Sequence, residues 1–444
     1  MQTEISQEMD LLNERGRITR EGYARRPVWR YRRGAVRAPW WRIKEWDYYA
    51  VIDQGRGVGV TITFSDLGYA GLIGLCFVDV KNGLVRQVDT LKPLTRGKLG
   101  LAEEVDAPHV LEYADKKLRV RLERSGDERR LFFSDAGGSA ARDLGDKSGS
   151  GAAGAVRSAV SAGAAGGALG GAEASAGDRA MAGAGVAGPK FGRGRAGKAA
   201  GEVTTDNKGA RPDTLGRGVK EARLEGEIVL QQPSDQERMV IATSWAKKRT
   251  AFYYNQKINC MPAEGWMRAE GDEFRFSPET SFGVLDWGRG RWTYRNRWYW
   301  ASASGLVDGV PFGFNLGYGF TDRSPASENM LFYGGDIVQG QTSEEGRDKV
   351  RPQSSLKAHK LEDVSFEFDA HDYLKPWNVH SSDGRLEMIF EPTVNRAARF
   401  NLLLIESDQN QVFGYYSGRA VLDDGRTLEF SGLAGSAEEV FNRW

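Results

Sequence analysis

The sequence predicts an all-β protein whose short antiparallel strands close into two barrels or sandwiches. Three observations carry this. Apolar and polar residues alternate with period two through segment after segment, as in Val58-Gly-Val60-Thr-Ile62-Thr-Phe64 and Leu118-Arg-Val120-Arg-Leu122. Turn residues punctuate these segments. The 444 residues also contain 12 Trp, 15 Tyr, 20 Phe and 56 Gly, a composition that favours β-structure with tight turns.

The opening segment departs from the pattern. Glu4 to about Arg15 reads as a short helix within a basic, aromatic arm, residues 1–43. From Arg15 to Lys44 there are eleven Lys/Arg and one acid, Glu21, with Trp29, Tyr31, Trp40 and Trp41 interleaved. Such an arm either packs its rings on a barrel and leaves its arginines wet, or makes a weak contact with RNA or an acidic membrane. The polar, acidic start is not a secretory leader. No run approaches the roughly 18 apolar residues of a spanning helix, so a cytoplasmic location is expected.

The first β-barrel domain is expected over residues 44–260. Lys81-Asn82-Gly83 and Ser125-Gly126-Asp127 supply turns. After Leu131-Phe-Phe133 the composition changes abruptly. Between Gly151 and Ala200, 32 of 50 residues are Gly or Ala, too few large side chains to offset backbone ordering at about 1–2 kcal/mol per residue. Residues 136–219 are therefore expected to be a disordered insert at a hairpin tip, because strand patterning resumes at Leu224-Glu-Gly-Glu-Ile228. Two Gly-x-Gly-x-x-Gly matches and a P-loop-like stretch at Gly192–Lys198 fall inside it. No strand precedes them, so they are accidents of composition.

The second barrel domain is expected over residues 261–444. Leu386–Phe390, Phe400–Leu404 and Val412–Tyr416 are strand candidates, and Asp423-Asp424-Gly425 marks a hairpin.

The informative block runs from Gly265 to Asp336. In Phe312–Phe320, Phe312, Phe314, Leu316, Tyr318 and Phe320 share one face if extended, while Gly313, Asn315, Gly317 and Gly319 share the other. Trp298, Trp300, Ser302 and Ser304 alternate likewise. Either indole rings fill the glycine face, or the glycines floor a pocket that the indoles wall. The second reading makes Trp287, Arg291, Trp298, Trp300, Asn315, Gly317 and Tyr318 candidate ligand-binding residues. Asp286, Asp322, Glu328 and Glu391 are the candidates for a carboxyl held in an apolar site, where it would resist ionisation and serve as an acid. Asp286 is expected to pair with Arg289 or Arg291.

Other chemistries find little support. With 61 Lys+Arg against 60 Asp+Glu, the net charge of +1 argues against a dedicated nucleic-acid binder. Two Cys exclude a disulfide framework or a cysteine-based zinc module. Four scattered His give no catalytic triad, and no metal or cofactor is expected.

The segments Trp46-Asp47-Tyr48, Ser65-Asp66-Leu67-Gly68-Tyr69, Tyr254-Asn255-Gln256-Lys257-Ile258 and Asp286-Trp287-Gly288-Arg289-Gly290 resemble the family called domain of unknown function 2804. Gly313–Phe320, Glu328-Asn329, Phe390-Glu391-Pro392, Gln411–Gly414 and Asn442-Arg443-Trp444 extend the resemblance over about residues 44 to 444 outside the insert. That family is similar to lipocalin-like proteins such as carotenoid hydratases, tocopherol cyclase and fungal Diels–Alderases. The resemblance implies two lipocalin-like, calycin-type barrels and a hydrophobic ligand, and it places no catalytic residue. The expected function is binding of a lipid or isoprenoid in a β-barrel pocket. A cofactor-independent, acid-catalysed hydratase, isomerase or cyclase is the alternative, and a scaffold or partner-binding protein the third.

Overall fold

The computed structural model describes residues 2–135, 224–334, 356–402 and 404–443. The expected insert, with its glycine-rich motifs, and Gly335-Asp336 lie outside the described residues.

The chain is nearly all β, as the alternation predicts. Two curled antiparallel sheets, of thirteen and nine strands, account for almost every element. Among the described residues the helical turns are short 3-10 segments, Arg33–Ala35 and Trp40–Arg42. The helix expected from Glu4 to Arg15 does not form. Ile5 and Leu11 bury in the first core, and the backbone of this segment bonds to the arm itself: Ile5 N–H to Tyr23 O at 2.7 Å, Met9 N–H to Val28 O at 2.8 Å and Leu11 N–H to Arg30 O at 3.0 Å. A single short helix is marginal alone, and tertiary pairing wins.

The first sheet runs in the order Leu84–Pro93, Ala70–Asp79, Val58–Asp66, Ile43–Asp53, Ser281–Arg291, Lys248–Ala269, Glu225–Gln231, Glu128–Ser134, Arg119–Ser125, His109–Ala114. Glu128–Ser134 and Glu225–Gln231 pair directly, with Ser134 opposite Glu225, so the intervening stretch does connect neighbouring strands. Lys248–Ala269 is a single 22-residue strand with a register shift between Ile258 and Met261. Cys260 sits in that shift at φ +57°. The boundary expected at 260/261 therefore falls inside one continuous strand. The change of sheet comes later, between Arg291 and Arg295.

The second sheet runs Leu356–Lys360, Met330–Gly334, Val310–Tyr318, Arg295–Val307, Thr427–Arg443, Ile405–Val421, Leu386–Leu402, Trp377–Ser381, Val364–Glu367. Asp423-Asp424-Gly425 makes the expected tight turn, with Val421 opposite Thr427 and Gly425 at φ +87°.

Each sheet curls round its own core. Tyr49, Val51, Val60, Ile62, Phe64 and Leu75 fill the first, joined by Trp29 and Tyr31 of the arm. Phe312, Phe314, Leu316, Trp377, Phe390 and Tyr416 fill the second. Period two then dictates which side chains emerge on the opposite faces. Tyr48 and Ala50 meet Trp300, and Ile52, Cys76 and Val78 meet Phe413 and Ala434. The two half-barrels thus touch through their convex faces. Among the described residues no helix is long and apolar enough to cross a membrane.

Candidate functional site between the sheets

Strand register assembles the site. Across six strands of the first sheet, Lys257, Asp286, Tyr48, Thr63, Gly74 and Asp89 stand side by side. Across five strands of the second, Gly317, Trp300, Glu438, Gln411 and Arg396 do the same. Directly paired residues share a face, so each row presents its side chains together. The rows bound a cavity of about 240 Å³, whose aromatic lining includes Trp46, Tyr48, Trp292, Trp298, Trp300 and Phe320. A larger hollow of about 830 Å³ beside Glu387, Ser417 and Arg419 is an open shelf. Its charged members are exposed, and Arg419 pairs with Glu387 at 3.1 Å.

The indoles interlock by edge contacts. Trp292 meets Trp46 at 5.7 Å and Trp298 at 5.5 Å between ring centroids, and Tyr48 meets Trp300 at 5.9 Å. Trp46 reaches into the site because Gly288 opposes it and has no side chain. A Cβ at Gly288 would lie 2.0 Å from the indole.

Ionisable groups concentrate among these aromatic rings. Lys257 Nζ lies 2.7 Å from Asp286 Oδ2 and 3.9 Å from Glu328 Oε2. Asn255 donates to the other Asp286 oxygen at 2.7 Å. Burial pushes the Glu328 carboxyl up, an effect that Lys257 partly opposes, and Tyr253 donates its hydroxyl to Glu328 at 3.2 Å. Glu438 is also enclosed, and desolvation raises it to about 7 although Trp298 donates its indole N–H at 2.9 Å and Gln411 its amide at 3.1 Å. Tyr48 donates to Gln411 Oε1 at 3.3 Å, which links Tyr48, Gln411, Glu438 and Trp298 in one chain. Lys44 is lowered to about 7 by burial, and its ammonium donates to the Leu67 and Trp41 carbonyls.

The sequence candidates separate by strand parity. Trp298 and Trp300 line the cavity, and Asp286 and Glu328 stand at its wall. Asn315 does not line it. Asn315 Oδ1 accepts the Trp300 indole N–H at 2.7 Å, and its amide donates to the Glu328 carbonyl at 2.8 Å, so it positions both residues. Gly317 is not an open floor, because a Cβ there would meet Glu328 Oε1 at 2.1 Å. Gly313 is likewise covered, by Cys260 Sγ. The glycine face is therefore filled by the protein's own atoms, and the pocket lies beyond it.

The remaining candidates lie elsewhere. Trp287 has opposite parity to Asp286 and sits in the first core, edge-on to Tyr31 and Tyr254. Arg289 shares that parity, stacks on Trp287 and pairs with Asp47 at 2.9 Å. Arg291 donates to the Arg37 carbonyl at 2.8 Å. The expected pairing of Asp286 with Arg289 or Arg291 thus fails because odd and even positions emerge on opposite faces, and Lys257 takes that role. Tyr318 packs at the second core, stacked on Tyr299 at 4.7 Å. Asp322 pairs with Arg249 at 2.6 Å near the surface, and bonds from the Ser324 hydroxyl and backbone hold its carboxyl below the usual range. Glu391 is exposed on the outer part of its strand.

Sequence reading missed Lys257, Glu438, Tyr48, Gln411 and Arg396. Tyr48, Lys257 and Gln411 lay inside motifs already singled out. Their alternation within Trp46-Asp-Tyr48 and Asn255-Gln-Lys257 was the available signal. Glu438 follows Ser436 at the spacing of one strand face, but nothing in one sequence sets it opposite Trp300.

The family profile described as "Domain of unknown function (DUF2804)" matches residues 2–142, 199–341 and 355–444. No curated protein matches the chain. Among solved structures, an AttH-like protein of Nitrosomonas europaea is 10% identical, with 90% of this chain and 92% of that chain covered at a TM-score of 0.42. Kievitone hydratase of Nectria haematococca is 8% identical, with 90% and 88% covered at a TM-score of 0.39.

Proposed function

The chain belongs to the DUF2804 family, and we propose that it binds a hydrophobic small molecule, such as a lipid or isoprenoid, in the cavity between its two sheets. The observation that carries this is the space of about 240 Å³ walled by four tryptophans and a phenylalanine. Small-molecule sites are typically concave and mostly apolar, with a few polar anchors. The location differs from the expected barrel interior, because both interiors are filled by core side chains and, in the first, by Trp29 and Tyr31 of the arm.

Titration of the protein with decan-1-ol, followed by tryptophan emission, tests the reading. A saturable change is expected. Thr63→Phe should remove it, because Thr63 lines the cavity and the larger ring occupies it. An emission signal indifferent to the alcohol would sink the proposal.

A second reading rests on Glu438. A carboxyl raised to about 7 is half protonated near neutrality and stands opposite Trp300. Such an acid can deliver a proton to an alkene or carbonyl, and indole faces stabilise the cation that forms. This is the chemistry of a cofactor-independent hydratase, isomerase or cyclase. Its test is exchange: molecules that co-purify with the protein are returned to it in D2O. Deuterium uptake lost in Glu438→Gln supports the acid role, and an unlabelled ligand leaves binding alone.

A further inference from the structure

Arg396 lines the same cavity, three strands away from Trp300 along the second sheet's row. At about 4.8 Å between neighbouring strands, the two backbones are roughly 14 Å apart. Arg396 donates Nη1–H to Thr61 Oγ1 at 2.9 Å and adjoins the Cys76 thiol. A guanidinium carries five N–H donors. A hydroxyl and a thiol leave most of them free of a strong acceptor, and none of the Arg396 nitrogens is sealed from the cavity without a partner.

The contrast with the buried arginines of the first barrel is sharp. Arg238 reaches Asp106 at 2.8 Å, Arg289 reaches Asp47 at 2.9 Å, and Arg129 reaches Asp106 at 3.7 Å. Arg396 has no carboxylate within 4 Å among the described residues. Asp89 and Glu438 line the same cavity but make no ion pair with it. Burial raises both of these carboxyls, and the Arg396 charge opposes that rise in each. Polar side chains line the cavity as well, among them Thr63, Ser65, Gln87, Ser407 and Gln409.

We propose that Arg396 is the anchor for a carboxylate on the bound molecule, so that the ligand is an anionic amphiphile with its apolar part among Trp298, Trp300 and Phe320. This deepens the binding function proposed above and rests on it. The match is chemical: a planar guanidinium receives a carboxylate through two parallel N–H bonds, while the indole end offers apolar surface to a chain or ring.

Decanoate and decan-1-ol, which share a chain and differ in the head, separate this inference from the reading beneath it. Wild-type protein should bind decanoate at least about tenfold more tightly than decan-1-ol, the factor that a charge-assisted hydrogen bond supplies. Arg396→Gln should abolish that preference while keeping alcohol binding, which also shows that the variant is folded. Equal affinity of the wild type for both probes, or a preference that survives in Arg396→Gln, overturns the carboxylate anchor and leaves the binding function standing. Failure of both probes to bind wild-type protein overturns both.

Discussion

The Lys257 ammonium of the first sheet lies 4.4 Å from the centroid of the Trp300 ring of the second. This contact joins the two half-barrels at the cavity wall. Asp286 at 2.7 Å and, further off, Glu328 at 3.9 Å pair with the same nitrogen, so buried ion pairs and a cation–π contact share one ammonium. The arrangement makes Lys257 a structural keystone of the site.

Lys257→Met should therefore destabilise the protein by about 3 kcal/mol, because removing one member of a buried pair leaves an uncompensated charge. Lys257→Met/Asp286→Asn should recover most of that loss, since the charge left behind is then gone. Urea midpoints of the three proteins measure it. A double variant no more stable than the single one would show that Asp286 is not the residue Lys257 neutralises.

Glu438 gives the stability a pH dependence of defined sign. Its carboxyl is raised to about 7 by desolvation, above the roughly 4.3 of an unfolded chain. Between those values the native state holds more protons than the unfolded state, so stability falls as pH rises through this window. At about 1.4 kcal/mol per pH unit the contribution reaches about 4 kcal/mol. Glu328 and Asp89 are raised as well and act in the same direction. Lys44 and Lys360 act differently: burial lowers both to about 7, so their effect is a gain in stability as pH rises from about 7 toward 10.5. Glu438→Gln should flatten the slope between pH 5 and 7 and be the more stable protein at pH 8. Urea midpoints across pH decide it, and an unchanged slope would place the ionisation elsewhere.

How much of this was legible in the sequence follows from parity. Alternation within a strand correctly divided Phe314 and Leu316 from Asn315 and Gly317, and Trp298 and Trp300 from the Ala301 side that enters the second core. The same rule, applied to Asp286-Trp-Gly-Arg289, would have turned Trp287 and Arg289 away from the site. Their aromatic and charged character drew attention instead. What alternation cannot give is which strands become neighbours. Gln256-Lys257 pairs with Asp286-Trp287 through contacts about 30 residues apart, and Tyr48 meets Asp286 across more than 200. The cavity also arises from two convex faces meeting, which depends on how each sheet curls and not on any local pattern.

Gly317 has a specific role that a small substitution reads out. Its backbone is ordinary strand, so alanine costs nothing in φ, but the new Cβ would stand 2.1 Å from Glu328 Oε1. Glu328 must then swing off Tyr253 and Lys257. Gly317→Ala should cost roughly 1–3 kcal/mol, the usual range for overpacking. In a Glu328→Ala background the same substitution should be nearly neutral. A double-mutant cycle by urea denaturation gives the coupling, and an additive result would mean that the glycine serves something other than the carboxylate.

The arm supplies the last prediction, because its arginines are not equivalent. Arg26 and Arg32 are exposed. Arg33 instead pairs with Glu45, whose side chain is 5% exposed and whose other oxygen accepts the Tyr31 hydroxyl at 2.8 Å. Trp29 is 3% exposed, lies edge-on to Tyr254 and donates its indole N–H to the Arg20 carbonyl at 3.1 Å. The arm is thus part of the first core, with a wet basic outer side. Arg26→Ser/Arg32→Ser should leave the urea midpoint unchanged within error, as surface charges usually do. Arg33→Ser should cost about 2–3 kcal/mol by stranding the Glu45 carboxylate. Trp29→Ala should cost about 3–5 kcal/mol through the cavity it leaves. If Trp29→Ala and Arg33→Ser both unfold at the wild-type midpoint, the arm is an independent appendage. The arginine-mediated RNA or acidic-membrane contact would then become the better account of why its rings and charges are interleaved.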